Sequence, residues 1–205
     1  MDTKRFLILV LLVFILNGCQ RPAVISTPQS SSEPTDGESD ETTVKPAWTE
    51  VYEDAEIEEA FAIYLLADPQ ISGSDLSAWA LDALPLAETP LILVNDVLLY
   101  DWENHTLDVT EESYQHITEA IGGSVPVNGR PFVVVANDER IYAGAFWTLA
   151  SSLSFSGVVI MDPAFSENRS LTFTLGYPTE EYFNGDDPRD DSRIWEVLEK
   201  LGLVQ

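Results

Sequence analysis

Positive charge is the scarcest commodity in this chain. Its 205 residues include 10 Lys plus Arg against 35 Asp plus Glu, a formal net charge of −25. From Val51 onward there are 28 acidic residues and six basic ones (Arg130, Arg140, Arg169, Arg189, Arg193 and Lys200), a net charge of −22. Nucleic-acid binding needs Lys and Arg to displace phosphate counterions, so it is excluded as an expectation. Docking on anionic headgroups needs the same sign of charge and is excluded with it. Histidine is nearly as rare, with His105 and His116 alone, and Cys19 is the only cysteine. No intramolecular disulfide can form. Zinc is disfavoured, because the two histidines lack ligand spacing. There is no Gly-x-Gly-x-x-Gly and no P-loop, which removes support for nucleotide binding. There is no Gly-x-Ser-x-Gly elbow and no Ser-x-x-Lys, which removes the sequence signatures of two large hydrolase groups.

Long apolar runs are also missing. The longest near the start, Phe6 to Leu16, has eleven residues. As a helix it would span about 16 Å, against about 30 Å of bilayer hydrocarbon. Lys4 and Arg5 precede it, and Leu16-Asn17-Gly18-Cys19 follows at once. A basic start, a short apolar core and a small residue before a cut site describe an export signal.

These four residues resemble the lipobox of bacterial lipoprotein precursors, with Leu16, Gly18 and Cys19 on the pattern and Asn17 a less usual occupant of its slot. The resemblance implies cleavage before Cys19 and a diacylglyceryl group on its sulfur. Two acyl chains anchor stably where one is marginal, at about 0.8 kcal/mol per buried CH₂. The expectation is a signal peptide over 1–18, a lipidated Cys19 with a linker to residue 50, and a folded part over 51–205 on the extracytoplasmic face. The linker is rich in Ser, Thr, Pro, Glu and Asp, as in Ser30-Ser31-Ser32-Glu33-Pro34, and has little to bury.

What is plentiful beyond Val51 is apolar residues at strand and helix spacing. Ala60 to Ala67 predicts a buried strand closed by Asp68-Pro69. Asp75 to Leu84 predicts a short helix entered at Ser74 or Asp75. Pro90 to Tyr100 and His105 to Val109 flank the polar tip Asp101-Trp102-Glu103-Asn104, a hairpin signature. Thr110 is placed to cap a helix with Glu111 and Glu112 in its first turn, Tyr114, Ile117 and Ile121 on its apolar face and Gly122-Gly123 at its end. Phe132 to Ala136 and Ile141 to Phe146 flank the turn Asn137-Asp138-Glu139. Val158 to Met161 and Leu171 to Leu175 are two further strands. Asp187 and Pro188 predict the start of a last helix, with Ile194, Val197, Leu198 and Leu201 on one face. No regular βαβ alternation is present. The expected class is α+β: a single, mostly antiparallel sheet built from hairpins, with two or three helices on one face.

Candidate chemistry is thin. His105 sits beside a hairpin tip and is read as a stabilising donor or, alternatively, a base. Ser151 and Ser152 offer hydroxyls in a Ser-rich loop, and a cell-envelope hydrolase using His105 or paired carboxylates in the lid-like Ser151 to Ser156 region is the enzymatic alternative. Asp186, Asp187, Asp190 and Asp191 form an oxygen-rich run that either binds calcium or is neutralised by Arg189 and Arg193 as a capped helix start. Trp102, His105, Arg140, Tyr142, Trp147, Ser151 and Ser152 are the candidates for a recognition surface, since Trp, Tyr and Arg favour such surfaces; the competing reading puts the aromatics in the core. Gly144 within a strand predicts a bulge or a close backbone approach.

From Phe132 to Ile160 the strand, turn, return strand and Ser-rich loop also look like the extracytoplasmic head of the protein-export subunit SecD. That likeness implies a similar α+β arrangement and no activity. The leading expectation is a non-enzymatic, membrane-anchored module that binds an envelope or extracellular protein or ligand, with no cofactor or with calcium.

Overall fold

The computed structural model describes residues 60–165 and 168–205, all within one compact unit, Val44–Gln205. The expected signal peptide, Cys19 and the linker lie outside the described residues. Eight strands are present: β1 Phe61–Leu65, β2 Ile92–Leu93, β3 Val97–Asp101, β4 Thr106–Val109, β5 Arg130–Ala136, β6 Glu139–Trp147, β7 Phe155–Met161 and β8 Ser170–Tyr177. Helix α1 spans Glu111–Ala120 and α2 spans Ser192–Lys200. The fold is α+β, with one strongly curled sheet in the order β2-β1-β5-β6-β7-β8-β4-β3.

The sheet is mixed: six of its seven strand pairs are antiparallel, as expected, and the seventh, β6–β7, is parallel and not made by a hairpin. β6 and β7 run parallel, with Gly144 opposite Val158 and Trp147 opposite Met161. A parallel pair ordinarily needs a crossover of a dozen or more residues. Here residues 148–154 make the return, starting with a turn in which Ser151 N–H donates to the Thr148 carbonyl at 3.0 Å. Six strand residues separate the level of Trp147 from Phe155, about 20 Å. One turn and the irregular residues after it span that distance, so no helix is required.

Strand alternation sends side chains to two cores. Ile63, Phe132, Val134, Phe146, Val158, Ile160 and Phe173 pack with Ile117 of α1 and Ile194, Val197 and Leu198 of α2. Val133, Val135, Ala145, Trp147 and Val159 face the other way, against Leu66, Ile71, Leu76 and Leu84. The α-helices thus share one side, while the segment from Leu66 to Leu84 covers the other. That segment is two 3-10 turns, Gly73–Ala78 and Leu81–Ala83, in place of the expected helix. It is pinned from outside itself. Gly73 and Ser74 N–H donate to the carbonyls of Gly129 and Asn128. Arg140 Nη1 donates to the carbonyls of Leu81 and Leu84, both at 2.8 Å.

Three local expectations are met. Thr110 Oγ1 accepts from Ser113 N–H at 3.2 Å and caps α1. Asn137 and Asp138 both have positive φ, 49° and 62°, which suits the tight β5–β6 turn. At Gly144 the backbone approach is close: a Cβ there would lie 2.5 Å from Phe132 and 2.6 Å from the Val158 carbonyl. The last helix begins later than expected. Asp187 caps a separate 3-10 turn, Pro188–Asp190, and Asp191 caps α2 four residues on.

Candidate functional site

The β3–β4 hairpin tip meets the start of α2, and the polar chemistry of the domain concentrates there. Asp101 fixes the turn: its Oδ1 accepts from Asn104 N–H at 3.0 Å and its Oδ2 from the Asn104 amide at 2.8 Å. These bonds hold the Asp101 carboxyl below its ordinary pKa. His105 closes the turn at φ 47°, in the left-handed region that a non-glycine residue seldom adopts. Its carbonyl accepts from Phe173 N–H of β8 at 2.9 Å, so the imidazole is delivered to a fixed place. On the other side of the hairpin the C-terminal residues add to β3. Tyr100 N–H donates to Leu203 O at 2.7 Å, and Gln205 N–H donates to Tyr100 O at 3.1 Å.

His105 is 9% exposed. Its Nδ1 lies 3.2 Å from the Tyr100 hydroxyl. Its Nε2 faces Asp190 Oδ1 at 3.8 Å, beyond hydrogen-bond range. Burial and then the Arg189 charge push the imidazole pKa down, toward the neutral form. Burial pushes the Tyr100 phenol well up, so it stays protonated. Trp102 stands edge-on to Trp195 of α2 at 5.0 Å and to Tyr100 at 5.7 Å. Both tryptophans are half-buried.

The acidic run divides in two. Arg189 grips Asp187 through Nε at 2.9 Å and Nη2 at 2.6 Å, and its Nη1 donates to Phe173 O at 2.6 Å. Arg193 grips Asp191 in the same way at 2.8 and 2.7 Å, and reaches Glu139 at 2.6 Å. Those guanidinium bonds hold the Asp187 and Asp191 carboxyls below the usual range. Asp186 is exposed, and Asp190 keeps a side chain 61% exposed. Two of the four calcium candidates are therefore bound by arginine, as in a doubly capped helix start.

The rest of the expected surface does not assemble. Trp147 is fully buried in one core, stacked on Phe155 at 5.1 Å, and Tyr142 is buried in the other. Arg140 is spent on the Leu81 and Leu84 carbonyls. Ser151 is buried, its Oγ donating to Val127 O at 2.6 Å, while Ser152 is exposed. Ser151 and His105 do not meet. Tyr177 reaches the Ser151 carbonyl and Phe173 binds His105, and four strand residues put about 13 Å between those anchors. His116 is exposed on α1 beside Glu112 and Glu119. Of the expected surface, Trp102 and His105 remain together.

The sequence reading missed Tyr100, Asp190 as a partner of His105, and Trp195. Tyr100 lies in an apolar strand and Trp195 in a helix ninety residues away, so no local pattern joins them. Among the described residues, His105, Asp187 and Asp190 form a group whose ligand atoms lie within 4.8 Å of one another. A separate open cleft of about 670 Å³ is lined by Leu98, Asp108, Glu111, Tyr114 and Arg169. Its charges are paired, with Arg169 on Glu111 at 3.0 Å and the Ser170 hydroxyl on Asp108. Comparison with protein-family models, curated proteins and solved structures returned no match.

Proposed function

We propose that this chain is an extracytoplasmic lipoprotein, held to a membrane through Cys19, whose folded part is a non-enzymatic binding module for a cationic ligand or protein segment. The observation that carries the binding reading is the end of the β3–β4 hairpin. There two half-buried tryptophans sit beside a histidine and Asp190, an aspartate that no arginine among the described residues binds. Aromatic faces attract cations through the ring quadrupole. A carboxylate beside them adds charge of the right sign, and the domain's excess of acid over base steers cations toward it. The lipobox resemblance supports the location, and no helix among the described residues is long and apolar enough to cross a membrane.

A photoactivatable residue at position 102 of the full chain, in the cells that make it, tests the reading. The expected result is an adduct at position 102 that is absent with the same residue at Leu149, an exposed site on the β6–β7 connection. Asp190→Asn should reduce the adduct several-fold. Equal labelling at both positions, or labelling indifferent to Asp190, would contradict the assignment of the face.

A further inference from the structure

We propose that His105 Nε2, Asp190 and Asp187 hold a divalent transition cation of the zinc class at this end of the domain. The inference rests on the binding reading above and names the cation. The three ligand atoms already lie within 4.8 Å of one another. His105 is nine-tenths buried, and its Nε2 points at a carboxylate it cannot hydrogen-bond, 3.8 Å away. That gap suits an ion. With metal–nitrogen and metal–oxygen bonds of about 2.0–2.2 Å, tetrahedral donors stand about 3.3–3.6 Å apart. Closing the His105–Asp190 edge takes a few tenths of an ångström at Asp190, whose side chain is mostly exposed, and the edges to Asp187, which lie within 4.8 Å, close by at most about 1.5 Å.

The donor set selects the metal. Calcium takes six to eight oxygens. One imidazole and two carboxylates suit a borderline cation instead, with a fourth position open to a water or a partner's donor. A ligating histidine usually donates its other ring N–H to an acceptor, which fixes the tautomer. The Tyr100 hydroxyl, 3.2 Å from Nδ1, stands where that acceptor is needed. With metal on Nε2, the ring proton resides on Nδ1 and is donated to Tyr100 Oη. Asp187 Oδ1 accepts from both the backbone N–H and Nε of Arg189, at 3.0 and 2.9 Å, and Oδ2 accepts from Nη2 at 2.6 Å, so the carboxylate joins through the remaining lone pair of Oδ2, and Arg189 becomes the group that orients it. The local sequence conceals this site because His105 and Asp187 lie 82 positions apart.

The test is calorimetric titration of the full chain, purified in detergent, with zinc, manganese and calcium. One equivalent of zinc should bind at micromolar concentration or below, at least tenfold tighter than calcium. Asp190→Asn and His105→Gln should each weaken zinc at least tenfold. The Asp190 variant guards against misfolding of the His105 one, because its side chain is largely in solvent. Zinc binding unchanged in both variants, binding no tighter than calcium, or no binding below millimolar zinc would overturn the proposal. Zinc that fails to bind while position 102 still crosslinks sinks this inference alone; zinc that binds with no adduct at 102 sinks the partner and spares the ion.

Discussion

Single residues carry much of this structure's specificity, and Gly144 shows how. The β5–β6–β7 arrangement leaves no room for a Cβ there, with Phe132 on one side and the Val158 carbonyl on the other. Gly144→Ala should cost about 1–3 kcal/mol, the usual range for overpacking, read from the midpoint of a urea melt. A change below about 0.5 kcal/mol would show that the parallel pair sits more loosely. His105 makes a second prediction. Its folded pKa lies below the unfolded value of about 6.5, so the unfolded chain binds the proton more readily. Its contribution is therefore full above about 6.5 and is lost as pH falls toward the folded value. NMR should find the ring titrating below 6.5, and the loss of stability on acidification from pH 7 should shrink in His105→Gln. A midpoint at or above 6.5 would contradict the burial argument. Asp187 and Asp191 act with the same sign at lower pH: their stabilisation is present above about 3.9 and disappears as their depressed pKa values are crossed.

At the scale of elements, the sequence showed where strands are more readily than how they connect. The β3–β4 and β5–β6 hairpins, the Thr110 cap and the apolar face of α2 were legible because each is a local pattern. The parallel β6–β7 pair was not, since a seven-residue Ser-rich loop suits an antiparallel hairpin as well as a parallel return. The unbroken apolar run Phe132 to Ala136 did carry a signal, for a strand buried on both faces reads that way. Its consequence is that something must cover the second face, and residues 66–84 do so as 3-10 turns held by Arg140. Arg140→Met would leave the Leu81 and Leu84 carbonyls without that donor. A loss of about 1–3 kcal/mol follows if they stay buried, with amide exchange in residues 66–84 accelerating before the rest of the domain. Uniform acceleration across the domain would argue against a separately opening segment. The site was half legible for the same reason: Trp102 and His105 share one hairpin tip, while Tyr100, Asp190 and Trp195 join them only through tertiary packing.

At the scale of the whole molecule, charge dominates, and the proposed lipid tether at Cys19 sets where that charge sits. A formal −22 on the part beyond residue 50 sets like charges against each other across a small surface. Salt screens such repulsion between charges more than about 8–10 Å apart at physiological ionic strength. Raising sodium chloride from about 0.05 to 0.5 M should therefore raise the melting temperature; a fall would mean that the Arg189 and Arg193 pairs outweigh the general repulsion. The same charge opposes docking on anionic headgroups, so the proposed anchoring would make membrane contact through the lipid alone. Mass spectrometry of the amino-terminal peptide from the native product tests that most directly. The proposed anchoring requires a chain beginning at Cys19 and bearing a diacylglyceryl group. An intact leader, or a mature amino terminus without fatty acid, would contradict it.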